Sequence, residues 1–173
     1  TTNFAHGIDQ FCHSVAFQKD GEMVCGAVYN PVQKKLYTAM KGRGAFFNGK
    51  KISVSQTEEL IDSVIVTGFP YANDELGRKA VNAVASLRGN CQGLRRFGAA
   101  ALDFCSVAQG VMDGFFEYHL SPWDVAAGML IVREAGGIVT DINGNFARVD
   151  SIHFCASNKK IHDALRSHLE MVD

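Results

Sequence analysis

A single carboxylate, Asp124, begins a predicted apolar helix within the segment W-D-V-A-A-G at residues 123–128. It can cap that helix, because Ser121 and Pro122 before it have the pattern of a capping box with proline at the first helical position. It can also supply an oxygen ligand to a hard divalent cation, with a phosphate completing the coordination shell. One carboxylate does not make a metal site, so the local sequence by itself favours the cap.

Three other places carry residue types that can bind a polar ligand. Glu117 lies near the end of a predicted strand, where it can accept hydrogen bonds from a polyol or point into solvent. Gly98, Ala99 and Ala100 begin a second predicted helix, whose free N–H groups attract oxygen acceptors, although alanines are also good helix formers. Thr1 can cap a short helix or orient a water molecule and a phosphate.

Several familiar catalytic patterns are absent from the sequence. It has no G-x-S-x-G nucleophile elbow, P-loop or dinucleotide-binding glycine fingerprint, which argues against serine hydrolysis and nucleoside triphosphate chemistry. The six histidines show no i, i+4 pairing and the five cysteines form no C-x-x-C pair, so a zinc site is not expected. The cysteines are predicted to be buried thiols in a reducing compartment, which indicates a cytoplasmic protein.

The composition, with 47% hydrophobic and 20% charged residues, is that of an ordinary globular protein. A net charge of −1 gives no electrostatic footprint for nucleic acid or for an anionic membrane surface. No apolar run approaches the roughly 18 residues that a membrane span needs. We therefore expect neither nucleic acid nor a membrane among the partners.

The elements that must position these residues fall into two parts. Up to about residue 54 the sequence predicts an antiparallel meander, because D-G and N-G dipeptides between apolar runs are typical of hairpin turns. After residue 54, short apolar strands alternate with helices whose apolar residues recur at helical spacing. These strands are predicted at 63–68, 114–118, 138–141 and 154–156, and the helices at 80–87, 100–111, 122–135 and 161–172.

The predicted fold class is therefore α/β, with an antiparallel meander followed by βαβ-like units. At 173 residues the chain is long enough for one domain with a core. We expect a single domain over 1–173, in which 1–54 belong to the antiparallel sheet and 55–173 form the mixed α/β part.

Taken together, four segments resemble the inositol monophosphatase family of metal-dependent phosphatases. The family signature W-D-x-A-A-G followed by E-A-G-G is matched at 123–128 and 134–137. The T-T-N-F at 1–4 resembles the tail of a second signature, D-P-[IL]-D-G-T-T-N-F. The segments 37–45 and 98–103 match further family blocks, so the resemblance spans the whole chain.

The resemblance implies hydrolysis of a phosphate monoester of inositol or a sugar by a water activated by Mg²⁺. Asp124 then matches a metal ligand that also touches the substrate, which overrides the local preference for a mere cap. Thr1 matches the threonine that helps to orient the nucleophilic water near the phosphate. Glu117 and the N–H groups of Gly98, Ala99 and Ala100 match positions that bind the polyol ring; many members carry serine or threonine where this chain has Ala99. Family members resemble dimers, so a homodimer is expected.

Under the same resemblance, the chain starts inside the first signature. The two aspartates of that signature and an upstream glutamate ligand would precede Thr1, so we expect a fold truncated at its N-terminus. Mg²⁺ keeps its waters unless several oxygens hold it, so the 173 residues alone are expected to be inactive. The missing part is expected to include helices that cover one face of the meander, so apolar surface is expected to be exposed there.

Two questions stay open at this level. Fructose bisphosphate, histidinol phosphate or a phosphoadenosine nucleotide can replace inositol phosphate as the substrate. Arg95 and Arg96 are the candidates to bind an extra phosphate, and a structural role for them is an equal alternative. A non-catalytic regulatory or interaction protein that keeps the fold is the alternative from another functional class. Because Asp124 and Glu117 are both present, the enzyme is preferred.

Overall fold

The first layer is a five-stranded antiparallel sheet with its strands in chain order, as the sequence predicts. The computed structural model describes residues 1–70 and 74–171. In both predicted hairpins the turn residues have left-handed backbone: φ is 52° and 80° at Asp20 and Gly21, and 46° and 79° at Asn48 and Gly49. Aspartate, asparagine and glycine tolerate this region best, which is why D-G and N-G mark such turns. The strands are β1 His13–Lys19, β2 Glu22–Asn30, β3 Lys35–Met40, β4 Gly44–Phe47 and β5 Lys50–Ile52.

The second sheet is mixed, in the order β7-β6-β8-β10-β9. Its central strand β6 runs parallel to β7 and β8, whereas β8–β10 and β10–β9 are antiparallel pairs. The helix Glu75–Leu87 (α2) lies between β6 and β7 in the chain, so this part contains the predicted βαβ unit. The strands are β6 Val64–Thr67, β7 Gly93–Arg95, β8 Gly114–Tyr118, β9 Ile138–Thr140 and β10 His153–Ser157. Only β7 has no counterpart among the strands predicted from the sequence.

Two predicted helices are shorter in the structure than in the prediction. The helices are α1 Thr2–Ala5, α2 Glu75–Leu87, α3 Ala100–Ala108, α4 Pro122–Glu134 and α5 His162–Arg166, with a 3-10 turn at Leu60–Asp62. The helix α3 ends before the predicted residue 111 because Gly110 adopts a φ of 73°. The helix α5 ends at Arg166 because the N–H groups of His168 and Leu169 bond carbonyls three residues back, as in a tighter turn. Val172, placed in the predicted last helix, lies outside the described residues.

The helices α3 and α4 lie between the two sheets and give the molecule four layers. On one side, α4 packs against β1 to β4 of the first sheet, and on the other it contacts α3, β9 and β10. Its sequence is apolar nearly all round because both sides are buried. The far side of the second sheet is covered by α2 and α5, where Leu87 and Leu165 pack against Ile65 and Phe116.

A buried histidine ties α5 to the second sheet. The Nδ1 of His162 lies 2.8 Å from Ser157 Oγ, and its Nε2 lies 3.0 Å from Thr140 Oγ1. Because Thr140 Oγ1 already donates to the Asp141 carbonyl, Nε2 is assigned the ring proton and donates to Thr140. Burial, with a smaller effect of the Arg166 charge, lowers the pKa of His162 to about 4.

The outer face of the first sheet is largely apolar and open. Val15 and Phe17 on β1 are 66% and 56% exposed, and Tyr29 and Met40 on the neighbouring strands are exposed as well. Nothing within the described residues covers this face. The cysteines are all free; Cys91, Cys105 and Cys155 are buried, as predicted, whereas Cys12 and Cys25 are only half-buried. Among the described residues, no helix is long and apolar enough to cross a membrane.

Candidate functional site

One cleft of about 710 Å³ brings together all the site residues predicted from the sequence. It lies where the end of β8 meets the beginnings of α1, α3 and α4, so four elements far apart in the sequence contribute to it. The predicted residues in its wall are Thr1, Gly98, Ala99, Ala100, Glu117 and Asp124. The wall also includes residues that the sequence analysis did not single out, among them Asn3, Cys12, His119 and Trp123.

Asp124 caps its helix and keeps one carboxylate oxygen for another partner. The Ser121 N–H donates to Asp124 Oδ2 at 3.0 Å, and the Asp124 N–H donates to the Ser121 carbonyl at 2.9 Å. The first of these bonds is the Asp124 half of a capping box, with Pro122 at the first helical position, and the second is a backbone bond of the first helical turn. Within residues 1–70 and 74–171, Oδ1 accepts no hydrogen bond. The two interpretations of Asp124 are therefore compatible, because each needs a different oxygen.

Glu117 occupies a space that a glycine provides. It lies on β8 opposite Phe154 of β10, with its carboxyl group against Gly68. A Cβ at Gly68 would lie 2.2 Å from the Glu117 carboxyl carbon, so any other residue there would displace the carboxylate. Burial and the charge of Asp124 raise the pKa of Glu117 to about 7, while Arg96 opposes the shift. From the sequence, Gly68 could be recognised only as the glycine at the end of a predicted strand.

The beginning of α3 presents free N–H groups to the cleft. Gly98 has a φ of 80° and Ala99 is the N-cap residue, which brings the backbone to the cleft wall without a side chain in the way. The N–H groups of Gly98 and Ala100 donate no hydrogen bond within the described part of the chain. They are therefore available to an oxygen acceptor, in a position where the helix dipole favours negative charge.

A buried carboxyl group, Asp103, lies beside this helix start and was missed by the sequence analysis. It is 1% exposed, and neither carboxyl oxygen has a hydrogen-bond partner among the described residues. Burial and the nearby Glu117 raise its pKa well above the usual range, with Arg96 opposing the shift. Since its local sequence is that of an ordinary helix, only the tertiary structure reveals that it is unpaired.

Of the two arginines considered as phosphate ligands, the structure brings only one to the cleft. Arg96 lines the cleft, and its Nη1 lies 3.0 Å from the position that a Cβ on Gly98 would occupy. Arg95 lies on β7, where its guanidinium donates to the Leu94 carbonyl at 2.9 Å, and it does not line the cleft.

Thr1 reaches the cleft because the next turn is fixed by Asn3. The side chain of Asn3 is buried and donates to the Gln10 carbonyl at 2.7 Å and to the Phe97 carbonyl at 2.9 Å. These bonds attach α1 to the segment just before Gly98. The Thr1 side chain makes no capping hydrogen bond, so the structure does not use it as the helix cap that the sequence allowed.

Glu134, in the E-A-G-G segment, lies outside the cleft and has a structural role. Its two carboxylate oxygens accept hydrogen bonds from the N–H groups of Gly42 and Gly44, each at 2.8 Å. The carboxylate thereby fixes the turn between β3 and β4 against the end of α4. This contact links two of the segments that carried the resemblance, at 37–45 and 134–137.

The donors available to a cation are of the right chemistry but too few. Asp124 offers one carboxylate oxygen, which is the ligand type that Mg²⁺ prefers. The described residues contain no group of three or more histidine, cysteine, aspartate or glutamate side chains placed to hold a metal ion. A complete Mg²⁺ shell would therefore need oxygens from elsewhere.

Comparison with known proteins identifies the family and the fold. The model of the family described as "Inositol monophosphatase family" matches residues 1–172. The chain belongs to the inositol monophosphatase family. Its relatives include the inositol-1-monophosphatase of Mesorhizobium japonicum, 42% identical over 165 residues, which are 95% of this chain and 62% of that protein. The Nus factor SuhB of Pasteurella multocida is 41% identical over 161 residues, 93% of this chain and 60% of that protein.

Solved structures of family members have the same fold. The extragenic suppressor protein SuhB from Bartonella henselae superposes with a TM-score of 0.94 at 42% identity, covering 100% of this chain and 66% of that one. The inositol monophosphatase from Anabaena gives a TM-score of 0.90 at 38% identity, covering 97% of this chain and 67% of that one. The chain thus spans somewhat less than two thirds of the length of the curated relatives that it matches.

Proposed function

We propose that this chain provides the substrate cleft of a Mg²⁺-dependent phosphatase that hydrolyses a phosphate monoester of inositol or a sugar. The observation that carries the proposal is the convergence of Thr1, Gly98, Glu117 and Asp124 on one cleft in a member of the inositol monophosphatase family. These residues come from four separate elements, and a purely structural role for each would not require them to meet.

In this proposal the two ends of the cleft have different roles. The free N–H groups at the beginning of α3, with Arg96 beside them as a further donor, bind oxygens of the polyol ring, because helix N-termini attract oxygen acceptors, whereas Thr1 and Asp124 lie at the phosphate. Glu117 accepts hydrogen bonds from ring hydroxyls, since a buried carboxylate is a strong acceptor. Thr1 orients the attacking water through its hydroxyl group.

Mg²⁺ is proposed as the cofactor, with Asp124 Oδ1 as the one ligand that this chain supplies. When bound, the ion would stabilise negative charge that develops on the phosphate oxygens. Because Mg²⁺ needs several oxygens to replace its waters, we propose that the 173 residues alone are inactive or nearly so. A cytoplasmic homodimer and a single domain over residues 1–173 complete the proposal; the core that continues from the first sheet through α3 and α4 to the second sheet supports the single domain.

The charges of the cleft favour a substrate with one phosphate. Asp74, Glu117 and Asp124 bring three carboxyl groups to it, whereas Arg96 is the permanent cation among the described lining residues. A second phosphate, as in fructose bisphosphate or a phosphoadenosine nucleotide, would meet this acidic surface unfavourably. Histidinol phosphate carries an ammonium group that would suit it, so it is kept as an alternative substrate.

A second candidate function is a non-catalytic interaction protein. It is favoured by the likeness to relatives named Nus factor SuhB, which are about as similar to this chain as those named inositol-1-monophosphatase. The retained cleft residues support the enzyme instead.

The test is phosphate release from inositol 1-phosphate in the presence of Mg²⁺. We would assay the 173-residue chain beside a version extended at its amino end with the matching segment of the Mesorhizobium japonicum relative. Activity is expected in the extended version only, and Asp124→Asn should reduce it by at least about 100-fold, because a lost ligand affects the reacting centre.

The matched control is Asp163→Asn, which removes a first-turn aspartate of α5 away from the cleft. It should leave the rate unchanged. Equal effects of the two substitutions, or full activity of the Asp124 variant, would contradict the assigned site. A folded extended protein without activity on any of the candidate phosphate esters would favour the interaction protein.

A further inference from the structure

His119 has an unusual backbone conformation at the wall of the cleft. Its φ is 64°, in the left-handed region that side chains rarely adopt. The other non-glycine residues of the described chain with positive φ are Asp20, Lys34, Asn48 and Lys159, and none of these lines the cleft. A strained residue that is kept at a binding site suggests that its side chain is needed there.

The backbone of His119 is held in place by a neighbouring strand. Its N–H donates to Nδ1 of His153 on β10 at 3.2 Å. The His153 ring in turn packs on Tyr118, with 5.8 Å between the ring centroids. The peptide that carries His119 is therefore fixed between the end of β8 and the cap of α4.

The His119 side chain, in contrast, has no hydrogen-bond partner among the described residues. It is exposed, and its imidazole takes part in no hydrogen bond among residues 1–70 and 74–171. A fixed backbone with an unengaged imidazole is an arrangement suited to a ligand, since the two ring nitrogens can donate or accept without reorganisation of the chain.

The neighbours of His119 indicate which part of a ligand reaches it. Glu117, two residues earlier, presents a carboxyl group that suits hydroxyl groups and disfavours phosphate. The part of the substrate beside His119 is therefore its hydroxyl-bearing ring. We propose that His119 is a specificity-determining residue that hydrogen-bonds a ring hydroxyl of the substrate, an inference that rests on the proposed function.

The test compares two probes that share the phosphate and differ in the ring. The chain has one tryptophan, Trp123, which lines the cleft and is 72% exposed, so its fluorescence can report binding. Inositol 1-phosphate and inorganic phosphate would each be titrated, with Mg²⁺ present, into the wild-type chain and into His119→Gly. Glycine accepts the positive φ without strain, so the variant should unfold at the same temperature or higher.

The expected result is a dissociation constant for inositol 1-phosphate that is about three- to tenfold higher in His119→Gly, the range for one lost hydrogen bond. The constant for inorganic phosphate should not change. Lys159→Gly is the matched control, because it relieves a similar φ of 68° away from the cleft, and it should change neither constant.

Each other outcome has a definite meaning. Equal weakening of both probes in His119→Gly would show a merely structural role and overturn the inference, as would no change in either. If the wild-type chain binds inorganic phosphate with the same affinity as inositol 1-phosphate, the phosphate site is supported and the role of His119 is contradicted. If it binds neither, the same titrations are made with the version extended at its amino end, and the absence of binding there as well overturns both the proposed function and the inference.

Discussion

The contact between α3 and α4 allows the effect of one substitution, Gly128→Ala, to be worked out from the structure. Gly128 is buried in α4 and faces Phe104 of α3. A Cβ added there would lie 2.6 Å from the Phe104 Cβ, 2.8 Å from Cγ and 3.0 Å from Cδ2. Carbon atoms pack best at about 3.5 to 4.0 Å, so the two helices would have to separate by about 1 Å.

Two effects of opposite sign set the magnitude. Alanine is about 1 kcal/mol better than glycine in the interior of a helix, which stabilises the variant. Overpacking of a filled core costs about 1 to 3 kcal/mol. Because the nearest atom is the Cβ of Phe104, which no rotamer change can move, the upper part of that range applies. We expect Gly128→Ala to lower the free energy of unfolding by about 2 kcal/mol.

Urea unfolding followed by circular dichroism measures this change as a lower midpoint with an unchanged slope. Ala85→Gly on the exposed side of α2 is the control, and should show the loss of about 1 kcal/mol that helix propensity alone produces. The additional change Phe104→Leu should not rescue the variant, since leucine keeps the Cβ. A Gly128→Ala variant as stable as the wild type, or more so, would refute the close approach of the two helices.

Three further predictions concern buried ionisable groups. Gly68→Ala should move the Glu117 carboxylate out of its space, so the pKa of Glu117 should fall from about 7 towards the ordinary 4.5. The free energy of unfolding should change by less than about 1 kcal/mol. Carbon-13 NMR titration measures the pKa, and an unchanged value would contradict the prediction. Asp103→Asn should stabilise the protein near neutral pH, because the pKa of Asp103 is raised in the folded state and the wild type loses stability as pH rises above 3.8. Urea unfolding should show a larger gain in the free energy of unfolding at about pH 8 than at about pH 4. An equal gain at both pH values would contradict the burial of a charge. The pKa of His162 is lowered from 6.5 to about 4, so its contribution to the free energy of unfolding is complete above pH 6.5 and falls by up to about 3 kcal/mol as the pH decreases towards 4. Urea unfolding of His162→Gln should lack this decline. A parallel decline in both proteins would exclude His162 as its source.

The sequence predicted best what depends on local chemistry. The hairpins at Asp20-Gly21 and Asn48-Gly49 follow from residues that tolerate left-handed backbone, and the structure has both turns. Ser121, Pro122 and Asp124 predicted a capped helix start, and the cap is present. The buried character of α4 followed from its apolar composition on all sides, because only a helix between two layers needs it.

What the sequence could not predict depends on contacts between distant residues. Gly68 has a role only because Glu117, from another strand, needs its space. The unpaired state of Asp103 and the hydrogen bonds of Asn3 to Gln10 and Phe97 depend likewise on how the elements meet. Local patterns carry no information on such contacts, so the cleft could be predicted as a set of residues but not as a geometry.

The cap at the start of α4 has a consequence for the choice of ion. Because Oδ2 of Asp124 is held by the Ser121 N–H, a bound cation would meet this carboxylate through a single oxygen. Calcium takes about six to eight oxygens and often engages carboxylates through both, whereas magnesium prefers a compact octahedron at about 2.0 to 2.1 Å. Coordination through a single carboxylate oxygen therefore favours magnesium, the smaller ion. The hydrogen bond that caps the beginning of α4 would thus also discriminate between two abundant divalent metals.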